Sequence, residues 1–368
     1  MNILFLSHDG DLLGIAMRCK SEGFSVLLHV LSDERGGCIG RGIVDRVDFD
    51  ERLVKRNGEC IATNVNRLLS FTLPNLIVLD SNSLGKLGDY LREKGLPVFG
   101  GSFWSDCLST NPSYAFQLIS RLCCSPPSLS PSLALPLSLS LLWNGSSILS
   151  SFLTLNETRF LTGGLGEEVE STGQVLLSKK YLPPFSSLSE TLSKMLRKVK
   201  FRGMLTLNLA VTETSFLILS FTSHPLYFPS LLEVYKGSVT DLLMSVAGGK
   251  RCEGEVTMDV AVSILVSIPP YPHQSKSPAE SRVGGVDGHN SSHLYLLDAF
   301  SPLGEVERAD GDGRVVWATA RGRDVREARK RAYKTVRNLV IEKAQYRLDI
   351  GEGVEEAIEK VGRCKFKI

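Results

Sequence analysis

Short apolar runs alternate with helix-patterned stretches over the first hundred residues, and this alternation restricts the fold more than any other feature. The apolar runs cover residues 2–6, 24–31, 75–80 and 96–99. Between them, apolar side chains recur at helical spacing in residues 12–21, 62–71 and 84–94. Strands that alternate with helices form a parallel sheet with right-handed crossovers. We therefore predict a doubly wound parallel α/β domain over residues 1–112.

The centre of the chain, residues 113–250, has a different composition. Residues 123–151 are rich in Ser, Pro and Leu, which predicts a linker or a shortened, strand-rich connection. Helical patterns at 188–199 and 238–247 then flank a hairpin formed by 204–211 and 216–221. This order predicts a central α+β domain.

The third predicted domain covers residues 251–368. Residues 270–293 are rich in Pro, Ser, Gly, Asp and His, which predicts an exposed, mobile insertion. Residues 294–299 and 313–320 have the pattern of strands, and apolar positions at helical spacing predict a helix over 324–341 that Asp324 caps. We therefore expect a mixed sheet with one long helix.

Charge and cysteine content narrow the possible partners. Lys plus Arg exceed Asp plus Glu by only 42 to 40, so we expect no nucleic acid or membrane partner, but a small molecule or a protein. The eight cysteines lack the spacing of zinc ligands, which predicts reduced thiols. No basic segment precedes the first apolar run, and no apolar stretch is long enough to span a bilayer, which predicts a cytoplasmic protein.

Three groups of residues resemble, in order, parts of one enzyme family. The N-terminal group comprises residues 2–10, 75–80 and 90–100, and the C-terminal group comprises Gly-Arg-Val at 313–315, Glu-Ala-Arg-Lys-Arg-Ala-Tyr at 327–333 and Tyr-Arg-Leu-Asp-Ile-Gly at 346–351. Between them, Trp-Asn-Gly at 143–145 and Asn-Glu-Thr-Arg at 156–159 precede a glycine-containing segment at 166–173. In these residues the chain resembles the phosphoribosylamine-glycine ligases of the ATP-grasp superfamily.

The resemblance implies a nucleotide-binding ligase of purine biosynthesis that uses ATP and Mg²⁺ to join glycine to phosphoribosylamine. It also implies a truncated ATP-grasp core over residues 113–250, because the family's Lys- and Gly-rich phosphate lid has no counterpart between 116 and 143. Ser220 and Thr222 stand where the family carries a glutamate and an asparagine that bind magnesium. Neutral hydroxyls are poor ligands for a hard divalent ion, so we assign no metal site and no catalytic residue.

Candidate substrate-binding residues lie at the ends of predicted strands and in the segment that resembles the family's glycine-binding loop. They are Asp9, Gly10, Gly100, Gly101, Thr172, Gly173 and Arg314. Gly10 could admit a phosphate at a helix N-terminus or simply join a strand to a helix. Gly100 and Gly101 could border a ligand at the carboxyl end of a strand or form a turn.

Other polar residues have both a functional and a structural interpretation. Asp9 and Asp11 would repel an anion; they could hold an amine or a ribose hydroxyl, but we expect them to cap the following helix. Residues 163–166 predict a plain turn rather than a nucleotide loop. We expect surface positions for the histidines (His224, His289 and His293) and structural or solvated positions, rather than phosphate contacts, for the C-terminal arginines (Arg314, Arg329, Arg331 and Arg347).

Two functional hypotheses follow. The first is a phosphoribosylamine-glycine ligase-like protein of purine biosynthesis with impaired or lost catalysis. The second is a non-catalytic pseudoenzyme that acts as a metabolite-binding, regulatory or partner-binding scaffold.

Overall fold

The computed structural model describes most of the chain. The described residues are 1–31, 38–46, 59–122, 135–177, 186–211, 216–273, 282–287, 290–301, 303–308 and 311–362. Within these ranges, no helix is both long and apolar enough to cross a membrane.

The N-terminal part is a parallel sheet in the strand order β3-β2-β1-β4-β5. The strands are β1 (Asn2–Ser7), β2 (Ser25–Val30), β3 (Asp45–Arg46), β4 (Leu76–Leu79) and β5 (Val98–Phe99). The helices are α1 (Leu13–Ser21), α2 (Glu59–Thr72), α3 (Gly85–Glu93), α4 (Phe103–Thr110) and α5 (Pro112–Leu122). This architecture confirms the predicted parallel α/β fold class.

Strand β1 shows why the first apolar run is continuous rather than alternating. Ile3 and Phe5 pack into one hydrophobic core together with α1, whereas Leu4 and Leu6 pack into a second core together with α2 and α3. A strand that is covered on both faces must be apolar at every position. Helices on both faces make this sheet doubly wound.

The rest of the chain forms an antiparallel sheet in the order β10-β9-β6-β7-β8-β13-β18-β15. Its strands are β6 (Leu135–Trp143), β7 (Ile148–Leu161), β8 (Leu165–Leu177), β9 (Gly203–Val211), β10 (Phe216–Thr222), β13 (Val260–Ser267), β15 (Leu294–Leu296) and β18 (Arg314–Gly322). Because β8 pairs with β13, one sheet runs through the predicted central and C-terminal domains. The domain boundaries stay a prediction.

The remaining elements surround this sheet. The helices are α6 (Ser186–Leu196), α7 (Phe228–Val234), α8 (Val239–Gly248), α9 (Val325–Asn338) and α10 (Val354–Gly362). Short strand pairs are formed by β11 (Tyr235–Lys236) with β12 (Glu255–Val256), β14 (Val283–Gly284) with β19 (Val340–Ile341), and β16 (Ala299–Phe300) with β17 (Glu307–Arg308).

The described part of the Ser- and Leu-rich segment, residues 135–151, is largely strand, in agreement with the second of its two interpretations. Residues 123–134 lie outside the described residues, but 135–143 form β6 in the interior of the large sheet. The buried serines of β6 are hydrogen-bonded across the sheet: the Ser138 hydroxyl donates to Asn208 Oδ1 at 2.8 Å, and the Ser140 hydroxyl pairs with that of Thr206 at 2.8 Å. Cross-strand pairing therefore lets a serine-rich segment be buried.

Three local predictions differ from the structure. Residues 166–173 form part of strand β8 instead of a loop, and the turn before it comprises residues 162–164. Part of the predicted insertion is ordered, because β14 pairs with β19 and residues 291–293 form a 3₁₀ helix. Helix α9 begins after Asp324 as predicted but ends at Asn338, before β19.

Candidate functional site

A cluster of hydrogen-bonded polar residues lies at the carboxyl edge of the parallel sheet, where β1 and β4 end. Ser7 is the last residue of β1 and Asp80 directly follows β4, and both are buried. The Ser7 hydroxyl donates to Asp80 Oδ2, and the His8 amide donates to Asp80 Oδ1 at 3.0 Å. The Gly10 amide in turn donates to Ser7 Oγ at 2.7 Å. Open α/β sheets bind ligands at this edge.

The loop after β1 is held by ion pairs from the opposite end of the chain. Asp11 Oδ1 lies 3.0 Å from Arg314 Nη2, and Arg314 Nε donates to Asp312 Oδ2 at 2.7 Å. Burial alone would lower the pKa of Arg314, but Asp11 and Asp312 raise it above its ordinary value. Arg314 is therefore a charged, paired residue of this site.

His224 joins strand β8 to the same loop. Its Nδ1 lies 3.1 Å from Glu170 Oε1, and its Nε2 lies 3.8 Å from Asp11 Oδ2. Burial alone would lower the pKa of His224, but Glu170, Asp11 and Asp80 outweigh it and raise the pKa to about 9. The predicted surface position of His224 is wrong, because three carboxylates from separate elements surround it and keep it protonated at neutral pH.

Two of the three carboxylates around His224 have pKa values that shift in opposite directions. Burial, followed by the charge of Asp11, raises the pKa of Asp80 to about 6. Burial also raises the pKa of Glu170, but the charge and hydrogen bond of His224 outweigh it and lower the pKa to about 2. Of these two groups, Asp80 has the pKa closer to neutral pH. It is therefore the carboxyl group of this site that could act as a general acid or base.

The site contains more acidic side chains than cationic ones. The carboxyl groups are those of Asp9, Asp11, Asp80, Glu170 and Asp312, and the cations are Arg314 and His224. A cavity of about 10 Å³ beside Asp9, Asp11 and Arg314 has room for a single water at most. The acidic excess favours an amine or hydroxyl group over a phosphate.

The two aspartates of the β1 loop do not cap helix α1. The helix begins after Leu12, which occupies the N-cap position and makes no side-chain capping hydrogen bond. Asp11 instead pairs with Arg314, and Asp9 Oδ1 lies 3.1 Å from His8 Nδ1. The predicted capping role is therefore wrong, because neither aspartate occupies the N-cap position and Arg314 holds Asp11.

Ser220 and Thr222 are engaged in hydrogen bonds with side-chain amides. Ser220 Oγ accepts from Asn208 Nδ2 at 2.8 Å, and Thr222 Oγ1 accepts from Asn82 Nδ2 at 3.2 Å. Asn82 Oδ1 also accepts from the Ser223 amide and thereby fixes the turn after β10. Mg²⁺ prefers carboxylate oxygens, so this donor set does not fit the ion. Among the described residues, no group of three or more His, Cys, Asp or Glu side chains could hold a metal.

Gly100 and Gly101 join β5 to the large sheet. Gly100 has a φ of +143°, a region that favours glycine, and its amide donates to the Arg202 carbonyl at 2.8 Å. The Gly101 carbonyl accepts from Arg92 Nη1 at 2.9 Å, and a Cβ at Gly101 would lie 3.0 Å from Ser223 Oγ. Gly100 therefore bridges to the segment before β9, Gly101 leads into α4, and the ligand role of both glycines stays a prediction.

Thr172 and Gly173 serve the packing of β8. The buried Thr172 hydroxyl lies 3.0 Å from the carbonyl oxygens of both Glu157 and Arg159. A Cβ at Gly173 would overlap the Ile350 side chain. Their predicted role in substrate binding stays untested, and the structure brings neither residue into contact with Asp80.

Sequence reasoning missed the most perturbed residues of the site. Asp80 directly follows the apolar residues of β4, so the rule that ligands bind at strand carboxyl ends could have singled it out. Glu170 and His224 carry no such signal, because their proximity depends on β8 and β10 lying in one sheet. Of the candidate residues, Asp9, Gly10 and Arg314 lie in the polar cluster.

Two known proteins resemble this chain in part of their sequence. No protein-family model matches the chain. It is 29% identical to a phosphoribosylamine-glycine ligase of Streptomyces coelicolor over 180 residues, which are 45% of this chain and 41% of that protein. It is 30% identical to a phosphoribosylamine-glycine ligase of Helicobacter pylori over 129 residues, which are 33% of this chain and 28% of that protein. The matches thus span less than half of the length of these relatives.

Solved structures extend the likeness to nearly the whole fold. The phosphoribosylamine-glycine ligase of Thermotoga maritima superposes with a TM-score of 0.69, covering 95% of this chain and 100% of that one at 15% identity. The biotin carboxylase domain of a single-chain bacterial carboxylase has a TM-score of 0.62, with 98% coverage of both chains and 12% identity. The chain therefore resembles phosphoribosylamine-glycine ligases in sequence over part of its length and shares their ATP-grasp-like mixed α/β fold.

Proposed function

We propose that this chain is a phosphoribosylamine-glycine ligase-like protein that binds a small polar metabolite but has impaired or lost ATP-dependent ligation. The observation that carries the proposal is the hydrogen bonding of Ser220 and Thr222, whose hydroxyls accept from Asn208 and Asn82. An ATP-dependent ligase needs charged oxygen ligands for magnesium beside the phosphates. Neutral hydroxyls supply no negative charge for the ion, and Thr222 Oγ1 already accepts two hydrogen bonds, from Asn82 Nδ2 and from the His224 amide.

The proposed metabolite presents an amine or hydroxyl groups to this edge of the sheet from the solvent side, where Asp9 and Glu170 are partly exposed, because the cavity beside Asp11 holds one water at most. Asp9, Asp11, Asp80 and Glu170 lie in or beside the loop after β1, and among the described residues His224 and Arg314 are the cations that face this group. An ammonium group would be attracted to this edge of the sheet, whereas a phosphate would be repelled. A scaffold that binds such a molecule without chemistry is the second hypothesis, in which the chain regulates or partners another protein.

Calorimetry and a turnover assay separate these functions from an active ligase. Purified protein is titrated with Mg-ATP, and phosphate release is then measured with glycine and phosphoribosylamine, in parallel with a complete phosphoribosylamine-glycine ligase as positive control. We expect neither tight Mg-ATP binding nor phosphate release that depends on phosphoribosylamine. Turnover comparable to that of the control enzyme would overturn the proposal.

A double variant tests whether Ser220 and Thr222 account for the impaired ATP-dependent ligation. Ser220→Glu with Thr222→Asn restores a carboxylate and an amide at the two positions, and Ser220→Gln with Thr222→Asn is the matched neutral control. We expect Mg²⁺-dependent ATP affinity to rise only in the variant with the carboxylate. Equal affinities of the two variants would show that these positions do not explain the loss.

A further inference from the structure

A second, larger cavity lies on a different side of the N-terminal sheet. It has a volume of about 500 Å³ and shares no lining residue with the small cavity beside Asp11. Residues 95–97 before β5 form one wall, and residues 199–202 before β9 form another. Gly145, in the turn after β6, and the end of α8 complete it. This volume is in the range of small-molecule sites.

The cationic side chains that line this cavity are Arg92, Lys200 and Arg202. The side chain of Arg92 is only 7% exposed, and its Nη atoms donate to the carbonyls of Gly100 and Gly101. Its Nε is buried without a hydrogen-bond partner. Burial, with the nearby Arg202 charge, lowers the pKa of Arg92 to about 10, although Asp89 opposes the shift. Arg92 is thus a buried cation with an unused donor.

The side chains of Arg202 and Lys200 are available to bind an anionic ligand. Arg202 Nη1 donates to the Ala247 carbonyl at 2.6 Å, and within the described ranges no carboxylate lies within ion-pair distance of Arg202. Lys200 Nζ lies 2.7 Å from Glu93 Oε1, but both side chains are more than half exposed, so water and ligands can compete for this pair. The three cations therefore face two carboxylates, those of Asp89 and Glu93.

We propose that this cavity binds a small phosphorylated metabolite through Lys200 and Arg202. A guanidinium binds phosphate oxygens through two parallel N–H groups, and a nearby ammonium adds a second charge. Arg92 acts as a positioning residue, because its Nη atoms are committed to the carbonyls of Gly100 and Gly101. The remaining volume would hold the organic part of the ligand.

The test uses glycerol 3-phosphate and inorganic phosphate as probes, and succinate as a dianion without phosphorus. Calorimetry at constant ionic strength gives each affinity for the full chain. We expect both phosphates to bind and Lys200→Gln and Arg202→Gln each to weaken binding about tenfold or more. Lys194→Gln, which removes the same charge from the neighbouring helix α6 outside the cavity, should leave the affinity unchanged.

Each other outcome overturns the proposal. If neither phosphate binds, the cavity is not a phosphate site. If Lys194→Gln weakens binding as much as Lys200→Gln does, the phosphates bind through general electrostatic attraction and not in this cavity. Succinate that binds as well as glycerol 3-phosphate overturns the choice of phosphate. If Arg202→Gln unfolds because it loses the contact to Ala247, Lys200→Gln still decides the result, because the Lys200 side chain is more than half exposed and we expect its replacement to leave the fold intact.

Discussion

Asp80 links the protonation of the candidate site to the stability of the fold. Its carboxyl group is 3% exposed and lies between the Ser7 hydroxyl and the His8 amide. Its pKa rises from 3.8 to about 6, chiefly through burial. Between these two pH values the folded protein holds a proton that the unfolded chain has released. This contribution to stability is therefore present at acidic pH and is lost as pH rises through 6.

Asp80→Asn should remove this pH dependence. The amide keeps the shape and an acceptor oxygen but cannot ionise. As pH rises from 4 to 7, the wild type should lose about 3 kcal/mol of unfolding free energy that the variant does not lose. The difference between the two proteins should therefore change by this amount across the range. Urea unfolding of both proteins at several pH values in this range measures the difference. Asp45→Asn, at an exposed carboxylate, is the control, and a difference for Asp80→Asn that stays constant with pH would contradict the prediction.

Gly173 shows how packing can require a residue that the sequence had suggested for binding. Gly173→Ala would push a methyl group into Ile350, which is fully buried, so we expect a loss of about 1–3 kcal/mol in unfolding free energy. In an Ile350→Ala background the same change should cost less, because the overlapping atoms are gone. Chemical denaturation of the four proteins gives this comparison. Gly248→Ala, at a site where a Cβ would lie 4.0 Å from the Lys250 side chain and so cause no overlap, should be close to neutral.

Among the elements, helix α9 depends on signals that are local in sequence. The Glu327 amide donates to Asp324 Oδ1 at 2.8 Å, and Val325, Ala328, Ala332 and Val336 are buried along one face. Asp324→Ala should lower the free energy of unfolding by about 1 kcal/mol. Asp324→Ser, which can still cap the helix, should retain most of the stability in the same urea titration. Equal losses for the two variants would show that the cap does not contribute.

The elements that could be predicted from the sequence are those whose signals are local. The doubly covered β1 and the capped α9 are examples, because burial on two faces and helical spacing are written in consecutive residues. Strand β6 gave two interpretations, since its serines are buried only through partners on β9 and α7. Residues 166–173 resembled a loop because their glycines are needed for packing, as at Gly173 against Ile350.

At the scale of the whole molecule, contacts between distant parts of the chain hold the two sheets together. Glu22 follows α1, and its carboxylate accepts from the amides of Val239 and Thr240 at the start of α8. Within the larger part, Arg347 pairs with Glu157 of β7 at 2.9 Å and joins the C-terminal segment to the antiparallel sheet. Asp11 and Arg314 join the first loop to β18. Such pairs cannot be predicted from local patterns, because either partner alone resembles an ordinary surface charge.

A double-mutant cycle on Asp11 and Arg314 measures how strongly the two ends of the chain are coupled. Both side chains are 17% exposed, so removal of one leaves a poorly solvated charge. We expect Asp11→Asn or Arg314→Gln alone to cost about 3 kcal/mol, and the double variant to cost clearly less than the sum. Urea unfolding at low and high salt gives the coupling free energy.

The Glu93 and Lys200 pair is the matched control for this cycle, because it also joins the N-terminal domain to the segment before β9 but is exposed. Salt screens exposed charges far more than buried ones, so high salt should abolish the coupling of the exposed pair and leave most of that between Asp11 and Arg314. If both couplings vanished together in salt, the buried pair would not couple the two sheets. The hydrogen bonds of Ser7 and Asp80 would then contribute more to the position of the loop after β1 than the pair of Asp11 with Arg314.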